Sequence, residues 1–259
     1  MKYYIIDAFA DRLFKGNPAG VCLLGQEWLE DSLMQDIAAE NNLSETAFIV
    51  ECGDHYSLRW FTPKNEVDLC GHATVASAFV ISNFVDKSVS EMRFDTKSGM
   101  LTVTKDSNLF VLDFPARKPR QIDIAPQMES AIGTHVCEAY ISTRDLMLLC
   151  ESEAQIQNLA PNFEQIKQIA DHAVIVTAEG NNADFVSRFF APNYGIAEDP
   201  VTGSAHTVLI PFWADRLGKQ KMTARQLSKR GGTLFCENRG ERVKIAGKAV
   251  LYLAGEIFV

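Results

Sequence analysis

Several features are missing from this sequence, and each absence closes a class of function. No apolar run approaches the roughly 20 residues of a membrane span. The N-terminus, MKYYIIDAFADR, has only Tyr3–Ile6 before Asp7, too short a stretch for the core of a signal peptide. The six cysteines (Cys22, Cys52, Cys70, Cys137, Cys150 and Cys236) form no CxxC pair and no short disulfide framework. That pattern predicts reduced thiols in a cytoplasmic protein, most of them small buried hydrophobes. Cys70–His72 and His135–Cys137 lack two further ligands at zinc-site spacing, so no metal is expected. Neither GxGxxG nor a P-loop occurs, and no nucleotide cofactor is expected. Dense basic runs are also absent. Lys and Arg number 25 against 33 Asp and Glu, for a net charge of −8. ARKPR (Ala116–Arg120) is too short to track phosphates, so nucleic acid is not expected as a partner. An acidic chain is repelled by anionic lipid as well, and no membrane partner is expected.

What is present is the composition of a folded globular protein, 47% hydrophobic and 22% charged, in a length that suits one large domain or two ordinary ones. Tyr3–Phe9 and Gly20–Leu24 read as β-strands joined by a loop at KGNPAG (Lys15–Gly20), whose Gly, Asn and Pro are turn formers. In EWLEDSLMQDIAAENN, Leu29, Leu33 and Ile37 recur at helical spacing and Asn41–Asn42 closes the pattern. ETAFIVEC and YSLRWFTP alternate as strands. Phe94–Pro115 reads as a β-meander with turns at Ser98-Gly99 and Asp106–Asn108. The boundary between domains is expected in PARKPRQIDIAP (Pro115–Pro126), where three prolines interrupt the strand pattern.

The chain also resembles itself. A shift of 129 residues, with no gap, lays LRWFTPKNEVDLCGHATVASAFVISNF over SRFFAPNYGIAEDPVTGSAHTVLIPFW. Arg59 meets Arg188, Phe61 meets Phe190, Pro63 meets Pro192 and Ala76 meets Ala205. Each half reads strand, proline, loop, glycine, then an apolar helix buried on most sides; Pro211 is expected to kink the second helix. The register sets Cys70 opposite Asp199, each just before the turn into its helix. Two similar domains follow. Under a pseudo-twofold, both helix N-termini would open on one cleft, where their unpaired N–H groups and positive dipole ends suit an anion such as a carboxylate.

Four segments, DAFADRLFKGNPAGV, NNLSETAF, VDLCGHATVASA and EDPVTGSAH, occur in that order and resemble the signature segments of the PhzF-like (phenazine-biosynthesis-like) isomerases of the diaminopimelate epimerase superfamily. The resemblance spans essentially the whole chain. It implies an α+β fold of two similar domains, 1–118 and 119–259, with the last strand free to return to the first. Each domain would wrap an antiparallel β-barrel around a central helix, with the active site in the interdomain cleft. It further implies a homodimeric isomerase, free of cofactor and metal, that moves a proton on a small carboxylate-bearing substrate. By position in the motifs, Glu45 would be the acid/base, with His72 and Asp199 beside it in the catalytic set. Cys70, Gly71, Gly203 and Ser204 would bind substrate.

Each residue has a plainer reading. Glu45 is a solvated loop charge, His72 a helix-start residue bonded locally, Asp199 a turn former or cap, and Ser204 a cap. Cys70 is a buried remnant of the cysteine pair used by two-base epimerases. His206 is expected to line the cleft and His172 to be structural. Two other functions stay open: a two-base epimerase or racemase working with Cys70 and Asp199, and a catalytically inactive binding or scaffold protein.

Overall fold

Helices placed between strands decide the strand sense throughout this chain. In the computed structural model, which describes residues 1–259, the chain divides into one unit of Met1–Asp113 with Ala246–Val259 and a second of Phe114–Ile245. The first half runs β1 (Lys2–Ala8), β2 (Asn17–Leu23), α1 (Asp31–Asn41), β3 (Glu45–Glu51), β4 (Tyr56–Phe61), β5 (Glu66–Val67), α2 (Gly71–Val80), β6 (Glu91–Thr96), β7 (Gly99–Asp106) and β8 (Leu109–Pro115). The second runs β9 (Arg120–Ile122), α3 (Pro126–Ile132), β10 (Glu138–Ile141), β11 (Leu146–Leu149), α4 (Glu153–Gln157), α5 (Phe163–Ile169), β12 (Val174–Glu179), β13 (Phe185–Phe190), α6 (Gly203–Leu217), β14 (Lys221–Gln226), β15 (Gly232–Asn238) and β16 (Arg242–Gly247). The last strand, β17 (Ala249–Glu256), pairs antiparallel with β1.

The duplication appears as one repeated order of strand senses. In the first unit β1–β2 is antiparallel, β2–β3 parallel, β3–β4 antiparallel, β4–β6 parallel and β6–β7 antiparallel. In the second, β10–β11, β11–β12, β12–β13, β13–β14 and β14–β15 repeat that series step for step. The expectation of antiparallel sheets is therefore corrected to mixed ones. A parallel pair needs a crossover to carry the chain back, and α1, α2, α4 with α5, and α6 are those crossovers.

The KGNPAG loop is also corrected. Asn17 and Pro18 already belong to β2, paired with Ala8 and Asp7. Pairing of β2 with β3 starts only at Ala19, so the proline lies where no N–H is required of it on that side.

Helix α2 is buried nearly all round, from His72 to Ala78 and again at Val80, and packs against β1, β2, β3, β7 and β17. Its two hydroxyls are satisfied inside the helix, Thr74 donating to the Cys70 carbonyl and Ser77 to that of Ala73, as buried polar groups require. The helix does not run on to Phe84 as one α-helix; Ile81–Val85 form a π-helical turn. Helix α6 runs through Pro211 without a break. A proline leaves the carbonyl four residues earlier unpaired, here that of Thr207, and the backbone N–H of Arg117 donates to it at 2.9 Å.

Candidate active site

The motif residues fall into two clusters, one in each unit, and each is built at the start of a buried helix. In the first, Glu45 opens β3 opposite Ala19 of β2, so it sits at the same strand end as Asn17. The chain enters Asn17 through a tight loop: Gly16 has φ +67°, and a Cβ there would lie 2.1 Å from the Ala8 carbonyl oxygen. Only glycine fits. Phe9 and Phe14 also adopt left-handed backbone (φ 57° and 68°), and the buried Asp7 carboxylate holds the loop by accepting the Phe14 N–H at 2.8 Å.

His72, the second residue of α2, is the hub. Asn17 Nδ2 lies 3.3 Å from its Nδ1, Cys70 Sγ lies 3.4 Å from the same nitrogen, and Glu45 Oε2 lies 3.2 Å from its Nε2. Because an amide NH2 only donates, Nδ1 is the acceptor and the ring proton sits on Nε2, facing Glu45. The Nε2–Oε2 contact is at ion-pair distance but is not aligned as a hydrogen bond. Burial pushes the His72 pKa down to about 3, so the ring is neutral across the physiological range. Asn17, Glu45, Cys70 and His72 are all buried. Ligand atoms of Glu45, Cys70 and His72 lie within 4.8 Å of one another. Cys70 Sγ lies nearest Nδ1 and Glu45 Oε2 nearest Nε2.

The second cluster surrounds the start of α6. Asp199 precedes the N-cap, Thr202, by three residues, and Gly203 and Ser204 are the first two helical residues. Thr202 donates its hydroxyl to Asp199 Oδ2 in a short hydrogen bond. Gln226, at the end of β14, accepts the Thr202 N–H at 2.8 Å and donates to the Asp199 carbonyl at 2.8 Å. Ser204 is half-buried, and its carbonyl accepts the Thr207 hydroxyl. His206 is fully buried, lies tilted against the Phe185 ring and bonds the Thr202 carbonyl through Nδ1. It is a framework residue and not the site-lining one expected.

The gap-free repeat fails at this point. Arg59 and Arg188 are 129 positions apart, and each makes a two-pronged ion pair, to Glu66 (2.7 and 2.9 Å) and to Glu198 (2.7 and 3.0 Å). Glu66 and Glu198, like Gly71 and Gly203, are 132 apart. The second loop is three residues longer and contains a 3₁₀ turn, Pro192–Tyr194. Cys70 thus corresponds to Thr202, not to Asp199. The two N-caps share the extended backbone (φ −144°, ψ 103° and φ −114°, ψ 102°). Asp199 corresponds to Val67 and His72 to Ser204. Asn17, Thr202 and Gln226 were not singled out by motif reading, although Asn17 and Thr202 lie inside the GNPAG and DPVTGSA segments; Gln226 has no local signal at all.

Comparison with known proteins identifies the family. Residues 6–255 match the family described as phenazine biosynthesis-like protein. An uncharacterised isomerase of Pseudomonas aeruginosa is 48% identical over 97% of this chain and 96% of its own. A crystal structure of a PhzF-family phenazine biosynthesis protein from Enterococcus faecalis superposes with a TM-score of 0.97 at 49% identity, covering 100% of this chain and 99% of the other. A predicted epimerase of Pseudomonas aeruginosa, at 16% identity and a TM-score of 0.74 over 100% and 99% of the two chains, shares the fold alone. The chain belongs to the phenazine biosynthesis-like protein family.

Proposed function

We propose that the protein is an isomerase that moves a proton on a small carboxylate-bearing substrate, with Glu45 as the acid/base and no cofactor. The observation that carries this reading is the setting of Glu45: a buried carboxylate 3.2 Å from an imidazole that burial keeps neutral. A general base needs an ionised carboxylate in a water-poor place. The neutral ring keeps Nε2 within 3.2 Å of Oε2, where a small rotation would aim its N–H at the carboxylate and favour the ionised form; after proton abstraction the same nitrogen can stay in contact while the carboxylic acid returns the proton elsewhere. Close relatives named isomerases support the reaction class.

The substrate carboxylate is assigned to the helix starts. Neither Cys70 nor Thr202 caps its helix with a side chain, and neither first turn has an acidic residue. The first N–H groups at Gly71 and Gly203 are thereby suited to an anion, and to enolate-like charge as it develops. In this reading Glu45 and Asp199 act on one substrate molecule. The two-base alternative, Cys70 with Asp199, loses the symmetry that suggested it, since the counterpart of Cys70 is Thr202.

Deuterium exchange tests the reading. Small carboxylates bearing an activated C–H would be incubated with enzyme in deuterated water and followed by proton NMR. A compound exchanged by the wild type should exchange roughly 10³-fold more slowly with Glu45→Gln, which keeps shape and an acceptor but cannot take a proton at neutral pH. Near wild-type exchange in that variant, with an unchanged circular dichroism spectrum, would refute the role of Glu45.

A further inference from the structure

We propose that Thr202 and Gln226 are positioning residues that hold the Asp199 carboxylate as a hydrogen-bond acceptor, presented to an amino or hydroxyl group of the substrate. The bonding leaves little choice of orientation. A backbone N–H can only donate, so the Thr202 N–H fixes Oε1 of Gln226 as the atom 2.8 Å away. Nε2 is then the other end of that amide, donating to the Asp199 carbonyl at 2.8 Å and to Thr202 Oγ1 at 3.2 Å. A hydroxyl has one proton. With Oγ1 already accepting from Gln226, that proton points at Asp199 Oδ2, the short contact of the cluster. The Thr202 carbonyl is fixed as well, accepting Nδ1–H of His206 at 2.8 Å.

Gln226 is 1% exposed, Thr202 7% and Asp199 8%, so water offers the hydroxyl little competition. A buried side chain drawn from the far end of β14, bonded to both the loop and the helix cap, thus sets the direction of a proton several ångströms away. A hydroxyl locked in this direction stabilises the ionised carboxylate and opposes its protonation. Three titratable or charged groups flank these residues in the chain or bond to them. Glu198 is neutralised by Arg188, Arg225 on β14 is exposed, and His206 is held neutral above about pH 4 by burial. Thr202 occupies the place that Cys70 has in the first unit, so its hydroxyl is a substitution with a use: it donates where a thiol would donate weakly.

The test is a titration of Asp199 itself, which needs no substrate. In protein labelled with ¹³C at aspartate carboxyl carbons, the Asp199 signal is identified by its loss in Asp199→Asn, and its pKa is read from chemical shift against pH. Thr202→Val should raise that pKa by roughly one unit, the size expected for losing one hydrogen bond to a charged group. Thr202→Ser should leave it near the wild-type value, and Thr202→Cys should show most of the rise. If the valine variant does not fold, the Ser and Cys variants carry the comparison, since they differ only in the donor atom. A pKa unchanged in the Val or Cys variant, with Ser the same, would overturn the proposal. The substrate-facing part of the inference rests on the isomerase reading, but the titration does not. Failure here would leave the role of Glu45 standing, and failure of deuterium exchange would leave this assignment standing.

Discussion

The first turns of α2 and α6 begin with the same glycine and diverge on either side of it. At the N-cap, Cys70 stands where the second unit has Thr202; one residue into the helix, His72 stands where it has Ser204; in the loop before, Val67 stands where it has Asp199. Strand senses, buried helix and the arginine–glutamate clamp at the loop were all kept. What changed are the three positions that can hold a proton or a charge. Both units still share one device, a buried amide that orients a neighbour next to a carboxylate: Asn17 acts on His72 beside Glu45, and Gln226 on Thr202 beside Asp199. The difference lies in the middle member. An imidazole has two nitrogens and can exchange one proton for another, whereas a threonine hydroxyl only donates or accepts. On the proposed reading, the first unit moves protons and the second holds a fixed charge.

The largest effect expected from challenging this comparison comes from the clamps. Arg188 bonds Glu198, reaches the carbonyls of Ile156 and Leu159, and stacks over Phe190. Arg188→Met should destabilise by about 3 kcal/mol, because it leaves a largely buried Glu198 and two carbonyls unpaired. Arg59→Met should cost about 1 kcal/mol, because Lys97 remains on Glu66 and the second partner, Asp31, is exposed. Urea unfolding measures both. Equal losses would mean that the two clamps are energetically equivalent despite their different partners.

Next in size is the pH dependence of stability. Burial lowers the pKa of His72 to about 3 and that of His206 to about 4, against about 6.5 in an unfolded chain. Between those values the unfolded state binds the extra proton, so stability is present above pH 6.5 and is lost as pH falls through the window. Each histidine should account for about 2 kcal/mol of the loss between pH 6.5 and 4.5. His72→Asn and His206→Asn should each flatten the slope of unfolding free energy against pH. An unaltered slope in His72→Asn would show that the ring is charged in the folded protein and would reverse the proton placement assigned to Glu45.

Much of this was readable before any coordinates, and the rest failed for identifiable reasons. Strand–loop–helix repetition survived because burial writes apolar periodicity into both halves. The helix-start glycines stood out for the same reason, as breaks in that pattern. Strand sense was misread because parallel pairing depends on the crossover helices, not on the strands' own alternation. The register slipped because a three-residue insertion leaves the flanking apolar pattern intact on both sides; the Arg59–Glu66 and Arg188–Glu198 pairs and the helix-start glycines Gly71 and Gly203 reveal it. Gln226 was invisible because it reaches Asp199 from 27 positions later, through a contact that no local spacing encodes. Pro211 was legible as a proline inside α6; its partner was not, since the N–H that meets the Thr207 carbonyl comes from Arg117, 90 residues upstream.

The smallest effect, and the finest test of how the halves differ, is expected at Cys70. Its sulfur lies 3.4 Å from His72 Nδ1, the nitrogen that already accepts from Asn17 and faces away from Glu45. A thiol there adds a weak donor to an occupied acceptor, so Cys70→Ala should cost about 1 kcal/mol through lost packing and leave deuterium exchange within a few-fold of wild type. Cys70→Thr is the sharper variant, since it installs the second unit's residue at the first unit's N-cap on closely similar backbone. Its hydroxyl can donate to Nδ1 as the thiol does, so exchange should again persist. A loss of exchange in Cys70→Ala as large as in Glu45→Gln would place the sulfur in the proton path and restore the two-base mechanism, with Asp199 as the second base. Retained exchange in both Cys70 variants would confine proton transfer to Glu45 and its histidine.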